Sequence, residues 1–331
     1  MTPLSIVGYG QYLPRQIRTS RELDAIFGQA TGWTESKFGI RQRHVASTDE
    51  TSSMMGATAA RDALAMAGWD DGDFDVLIGA CGVMEQPIPG TSVLIQNALG
   101  LGKSGVWAFD VNQTCLSFLT ALDVVAMGMD SGRFRRAVIV ASDIASAGLD
   151  LKDPQTASIF GDGAAAICVE RTGDADGPGL LSRCFETYGE GKDLATLRAG
   201  GTRIRVEDGY EALVDGSHFR MDAFGIFKAA ARTLPRMIDQ VLGEAGLNRE
   251  TVDLVVCHQA SHPGLEHVRR LMSGDPSRVV DCFGRLGNQI AASLPNVLVE
   301  AHASGRVKPG GSVLLLGTAA GISAAAMVLR T

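Results

Sequence analysis

No unbroken apolar run in the 331 residues is long enough to span a bilayer, so no membrane segment is expected. The opening residues, Met1-Thr2-Pro3-Leu4-Ser5-Ile6-Val7, lack the basic and long apolar stretches of a secretory signal. A cytoplasmic chain is expected. Positive charge is in deficit: the net charge is −7 and the pI is about 5.4, which argues against generic nucleic-acid binding. The six cysteines (Cys81, Cys115, Cys168, Cys184, Cys257 and Cys282) show no CxxC spacing and sit in mostly apolar settings, which fits reduced core thiols better than disulfides or zinc. His44, His218, His262, His267 and His302 have no metal-ligand partners at useful spacing, and no metal is expected. A Gly-x-Ser-x-Gly elbow is missing, which argues against a serine hydrolase. The Gly161-Asp162-Gly163 turn lacks the GxxxxGK[ST] pattern and precedes a strand, so it reads as a structural turn rather than a phosphate loop. Aromatics are few at 6%, whereas glycine is abundant at 40 residues, which implies tight turns and close helix-on-sheet contacts.

What is present is a regular alternation of apolar strands and helices, which argues for an α/β fold with a largely parallel sheet covered by helices. Strands are expected over 4–10, 74–81, 105–111, 136–142, 163–169, 180–188, 253–258, 279–282, 311–317 and 324–329. Helices are expected over 52–67, 91–99, 116–127, 222–245, 262–272 and 289–303, with short helical or turn segments over 20–27 and 33–38. The Gly-rich polar stretch 189–216 reads as a variable loop or small hairpin region. An internal duplication is visible. Phe74-Asp75-Val76-Leu77-Ile78-Gly79 parallels Val252-Asp253-Leu254-Val255-Val256-Cys257, and the strand pair 136–141 and 163–169 parallels 311–316 and 323–328. The halves divide as 1–171 and 172–331. Between each pair lies a strand-corner-helix unit, holding Cys115 in one half and Asn288 in the other. The two corners are expected to face a common pocket.

The Cys115 corner joins a strand expected to be buried to a helix without proline. Free N–H groups and partial positive charge at a helix N-terminus favour thiolate, the nucleophilic form of cysteine. His258 ends a strand in Val255-Val256-Cys257-His258-Gln259-Ala260-Ser261, where an imidazole can point into a cleft. Thiol, imidazole and the Asn288 amide form a coherent set. Cysteine carries an acyl group as a thioester, while His and Asn donate hydrogen bonds to a developing enolate. Backbone N–H groups at Cys115 and in the Gly317-Thr318-Ala319-Ala320-Gly321 loop are candidates for an oxyanion hole.

The sequence resembles the β-ketoacyl-ACP synthase III family of the thiolase superfamily, nearly end to end. The likeness is carried by Trp33 with Gly39-Ile40-Arg41-Gln42-Arg43-His44, the Cys115 corner, Ile159-Phe160-Gly161-Asp162-Gly163-Ala164-Ala165 and Phe227-Lys228. It continues in His258-Gln259-Ala260, Gly287-Asn288 with Ala291-Ala292-Ser293-Leu294-Pro295, and Gly305-Arg306-Val307-Lys308-Pro309-Gly310. The resemblance implies a thiolase-like, duplicated α-β-α-β-α five-layer fold with two mixed sheets, assembled as a homodimer. It implies a Cys115–His258–Asn288 triad, with Cys115 acylated from acyl-CoA or acyl carrier protein. Decarboxylative Claisen condensation with a malonyl thioester then gives a β-ketoacyl product, without metal or redox cofactor. Oxyanion donors would be the Cys115 and Ala320 N–H groups. Trp33, Lys37, Ile88 and Thr318 would contact substrate, Ile88 from across the dimer. Lys228, Arg269 and Arg270 would form a basic patch for an acidic carrier protein.

The chain also departs from that pattern. Lys37 stands where the family has the arginine that sandwiches adenine with the tryptophan. Pro154 and Pro263 replace basic residues, and Ser261 replaces the usual asparagine after His-Gln-Ala. These CoA-side changes lean toward a specialised pathway. Glu85 lies near a position where some relatives carry a catalytic carboxylate, and its default reading is an exposed loop residue. Two alternatives keep the fold: an acyltransferase that does not decarboxylate, and a non-catalytic partner subunit.

Overall fold

The computed structural model describes residues 1–173, 176–272 and 275–331. The first half runs β1 (Thr2–Tyr12), β2 (Gln16–Thr19), α1 (Ser20–Ile26), α2 (Trp33–Phe38), β3 (Gln42–Val45), α3 (Ser52–Ala67), β4 (Val76–Gly79) and α4 (Thr91–Ala98). It continues through β5 (Trp107–Asp110), α5 (Ser117–Asp130), β6 (Arg136–Asp143), α6 (Pro154–Ile159) and β7 (Gly163–Arg171). The second half runs β8 (Gly179–Thr187), β9 (Ala195–Thr196), α7 (Tyr210–Gly216), β10 (Arg220–Met221), α8 (Ala223–Glu244), β11 (Leu254–Cys257) and α9 (His262–Leu271). It closes with α10 (Phe283–Leu286), α11 (Ser293–Ala303), β12 (Ser312–Ala319) and β13 (Ser323–Arg330).

Two mixed sheets result. One has the order β5-β4-β6-β7-β1, with β4 parallel to β5 and β6 and antiparallel pairing from β6 to β1. The other has the order β11-β12-β13-β8, with β11 parallel to β12 and the rest antiparallel. A parallel bridge between Val255 and Val279 stands where the first sheet has β5, so the two strand orders repeat. The sheets meet edge to edge at Thr2↔Leu180 and Pro3↔Gly179.

Three cores separate five layers. Helices α5 and α11 are packed between the sheets, in a cluster joining Leu119, Leu122, Val125, Leu294 and Val297 to Ile139 and Leu315. A helix enclosed on all sides must be apolar all round, and α5 buries Phe118, Leu119, Leu122, Val125 and Met129 on several faces. Helices α3 and α4 cover the outer face of the first sheet through Met55, Ala59, Ala63 and Ile95. Helices α8 and α9 cover the second through Leu234, Ile238, Leu265 and Val268. This is the thiolase-like arrangement that the resemblance implies.

Some expected elements differ. Strand β5 is a sheet edge rather than a buried strand, and Trp107 is 44% exposed. Residues 279–282 make one bridge instead of a ladder, because the Gln259 side chain takes their backbone groups. Its Nε2 donates to Val280 O (2.7 Å) and its Oε1 accepts from Cys282 N (2.9 Å). The 189–216 region holds a full helix, α7, and contributes β9 to a small ladder with β10. Helix α6 was hidden by its brevity: Asp153 caps it, accepting from Gln155 N (3.0 Å), and Pro154 opens it.

Candidate active site

The Cys115 corner is built from a three-residue turn. Asn112 Oδ1 accepts from Thr114 N (2.9 Å), which folds the chain back at Thr114, where φ is 49°. Ser117 then seals the start of α5: its Oγ donates to Thr114 O (2.7 Å) and accepts from Gln113 N (2.9 Å). A β-branched residue in the left-handed region is costly and persists only where its surroundings over-determine it.

Cys115 is partly exposed, yet the protein around its sulfur pushes the thiol pKa up to about 12, first by burial and then through the Asp143 carboxylate. This corrects the expectation of a thiolate favoured by the helix. Cys115 precedes both Leu116, the N-cap, and Ser117, the first helical residue. The field of a helix end fades within about one turn, while desolvation acts directly on the charged form. In the free protein, alkylation of Cys115 by iodoacetamide should therefore climb about tenfold per pH unit between about pH 8 and 10, with no plateau. A plateau near neutral pH, followed by intact-mass spectrometry, would show that the helix field dominates.

His258 follows β11 and donates its backbone N–H to Leu316 O (2.8 Å). The residue is buried and its Nδ1 makes no hydrogen bond to the described residues. Burial lowers its pKa to about 4, so the ring is neutral at physiological pH and has one N–H to give. Gly317 on β12 brings His258 to the Cys115 corner. A Cβ there would lie 2.9 Å from Leu116 Cδ2 and 3.1 Å from His258 Cβ. A side chain at this position would crowd both.

Asn288 is held by its main chain: its N donates to Ile159 O (2.7 Å) and its O accepts from Gly161 N (3.1 Å). Its side-chain Nδ2 reaches Ala260 O (3.4 Å), beside His258, and its Oδ1 accepts from Ile290 N (2.9 Å). Ile290 has φ 53°. Asn112-Gln113-Thr114 and Asn288-Gln289-Ile290 are thus the same turn, with the same side-chain bond and the same left-handed third residue. The duplication places Asn112 opposite Asn288 and Cys115 opposite Ala291, three residues on in each half. The repeated Asn-Gln pair was the signal in the sequence for this register.

The remaining expected residues fall in several places. Lys37 Nζ lies 4.8 Å from the centre of the Trp33 ring, a cation–π contact. Ile88 is 86% exposed in the loop before α4. Thr318 pairs with Ala324, and Ala320 begins the turn between β12 and β13. Lys228 and Arg270 are exposed. Arg269 is not free, since it pairs with Glu266 and with Asp281 (2.8 Å). Glu85 Oε2 accepts from Ser53 N (2.6 Å) at the start of α3, so this exposed carboxylate caps a helix. Ser261 Oγ likewise accepts from Gly264 N (3.3 Å) to cap α9, with Pro263 in its first turn. Two departures from the family pattern thus serve a helix start.

Among the described residues no cluster of His, Cys, Asp or Glu is arranged to hold a metal, and no helix is long and apolar enough to cross a membrane. A cavity of about 560 Å³ lined by Leu4, Ile6, Tyr9, Met66, His302 and Leu329 involves none of Cys115, His258 and Asn288.

The family model described as 3-oxoacyl-[acyl-carrier-protein (ACP)] synthase III matches residues 109–189, and its C-terminal counterpart matches 242–331. The chain is 33% identical to the beta-ketoacyl-[acyl-carrier-protein] synthase III of Methylococcus capsulatus, over 98% of each chain. It is 31% identical to that of Agrobacterium fabrum, again over 98% of each. Its fold superposes on the 3-oxoacyl-[acyl-carrier-protein] synthase III of Aquifex aeolicus with a TM-score of 0.89 and 29% identity, covering 99% of this chain and 100% of that one. The priming beta-ketosynthase of the R1128 polyketide pathway gives 0.90 and 27%, covering 99% and 96%. Duplicated layers, the paired Asn-Gln turns and full-length similarity agree: this chain belongs to the β-ketoacyl-ACP synthase III family of condensing enzymes.

Proposed function

We propose that the chain joins an acyl group to the two-carbon unit of a malonyl thioester, with Cys115 as acyl carrier. The Cys115 sulfur attacks the thioester of acyl-CoA or acyl carrier protein. The C–S bond to the carrier breaks, and the proton lost by Cys115 leaves on the released thiol. The passing negative charge on the carbonyl oxygen is held by the N–H groups of Cys115 and Ala320. The malonyl thioester then loses CO₂, and the electron pair of the broken C–C bond forms an enolate. His258 Nε2–H and Asn288 Nδ2–H hold its oxygen. Its carbon attacks the acyl-Cys115 carbonyl and the C–S bond to Cys115 breaks, releasing a β-ketoacyl thioester and returning the sulfur as thiolate, which takes a proton from solvent. Every bond is made with an electron pair that a substrate or Cys115 supplies, so the steps need no oxidant or reductant.

The observation that carries this reading is the shared packing of Leu116 and His258 on Gly317, with Asn288 tied to Ala260. A neutral His258 supports the role of donor over that of a charged acid. We further propose a cytoplasmic homodimer closing along β5, whose outer edge pairs with no strand among the described residues and whose Trp107 is exposed, with Ile88 crossing to the partner's acyl pocket. Trp33, Lys37 and Thr318 bind the CoA or pantetheine arm, and Lys228 and Arg270 meet an acidic carrier protein. The changed positions 154, 261 and 263 favour a specialised pathway. Intact-mass spectrometry after incubation with a panel of acyl-CoAs and acyl carrier proteins tests the reading. One acyl increment per chain supports it, and no adduct from any donor contradicts it.

A further inference from the structure

We propose that Asp143 is a positioning residue that holds the Cys115 corner and the Asn288 turn in register. The inference rests on the roles proposed above for those two groups. Asp143 ends β6 and is fully buried. Its Oδ1 accepts from Gly82 N (2.8 Å) and Val83 N (2.7 Å), and its Oδ2 accepts from Ala292 N (3.1 Å). One carboxylate therefore joins the loop after β4 to the turn that carries Asn288.

That loop also touches the Cys115 corner. Asn112 Nδ2 reaches Gly82 O (3.4 Å), and Ser117 Oγ lies 3.4 Å from Cys81 O. A Cβ at Gly82 would lie 3.2 Å from Thr114 O and 2.4 Å from Ile290 Cγ2. Gly82 is thus wedged between the two left-handed, β-branched residues, one beside each reacting group. Such conformations persist only under external constraint, and Asp143 supplies it to both by fixing Gly82 and Ala292.

The repeat adds a second line of support. Ala291 stands where Cys115 stands, and the Ala291 and Ala292 N–H groups both act on the Asp143 carboxylate. A resident carboxyl group therefore lies beside the mate of the place where the Cys115 N–H would meet a substrate oxyanion, accepting from Ala292 N. Its charge also reaches the Cys115 sulfur and raises the thiol pKa. Burial lifts the pKa of Asp143 itself to about 7, so above that pH the charge is present. Asp110 and Glu85 are the other acidic groups acting on the neighbouring Cys81.

Asp143→Asn tests the proposal. The amide oxygen still accepts from Gly82 and Val83, but the NH₂ now opposes the Ala292 N–H. Amide exchange should quicken over 289–293 and not over 80–84. Carboxamidomethylation of Cys115 at about pH 8.5 should rise about threefold per unit of thiol pKa released, since thiolate fraction gains more than nucleophilicity loses. Decarboxylation of malonyl thioester by the acylated enzyme should fall at least about tenfold, with acylation within about threefold of wild type. Unchanged exchange over 289–293 together with unchanged CO₂ release would overturn the proposal. So would faster exchange across the whole chain with equal loss of both steps, the mark of a merely structural role. If the variant does not fold, slow exchange of the Gly82, Val83 and Ala292 amides in the wild-type protein is required, and fast exchange overturns the proposal. The exchange and alkylation arms need no acyl or malonyl substrate. Their failure is therefore distinct from failure of the proposed reaction, which would appear as absent CO₂ release in the wild type.

Discussion

Cys115→Ala abolishes the acyl adduct and lowers condensation by about 10⁴–10⁶, the scale seen when a nucleophile is removed from an otherwise intact site. Intact mass and product chromatography read the two losses. The substitution leaves Cβ in place and removes one sulfur from a partly exposed position, so the protein should still fold. The variant should also keep releasing CO₂ from malonyl thioester, because His258 and Asn288 are untouched, and the product should be the acetyl thioester. An adduct that persists in Cys115→Ala would place the acyl group on another residue.

Asn288→Ala separates the two halves of the reaction. The amide is assigned to the enolate and not to the acyl transfer, so acylation of Cys115 should stay within a few-fold of wild type. Decarboxylation by the acylated enzyme should fall by about 10²–10³, the usual cost of deleting one preorganised donor to a developing oxyanion. Quenched-flow mass spectrometry measures the first step, and trapped CO₂ the second. The side chain also braces its own turn through Ile290 N, so Asn288→Asp, which keeps that acceptor, is the matching control. Equal loss of both steps in Asn288→Ala would contradict the assigned roles.

Much of this was legible in the chain. Alternating strands and Ala-rich helices gave the layers, because a period of about two or 3.6 residues survives any tertiary context that buries one face. The expected helix 52–67 has the same bounds as α3, and in the fold Thr51 and Gly68 cap it. Cys115, His258 and Asn288 were singled out because each carries uncommon chemistry at a corner or strand end of the expected pattern; in the fold His258 follows β11, whereas Asn288 follows α10. Three things were not legible. The Cys115 thiol is raised rather than lowered, because desolvation and the Asp143 charge come from segments distant in sequence. Residues 279–282 form no ladder, because Gln259, an apparent motif neighbour of His258, takes their backbone. The basic patch is thinner than the resemblance implies, because Arg269 is engaged by Glu266 and Asp281. The first two misses are contacts between segments distant in sequence; in the third, Glu266 lies within one helical turn of Arg269 and Asp281 twelve residues away.

The most direct test is a single turnover. Enzyme carrying one acyl group on Cys115 is freed of excess donor and mixed with malonyl thioester labelled in its free carboxyl. One equivalent of labelled CO₂ should appear with loss of the acyl mass and formation of a thioester longer by two carbons. Acyl mass that persists, or that leaves to water or another acceptor without CO₂, would contradict the account.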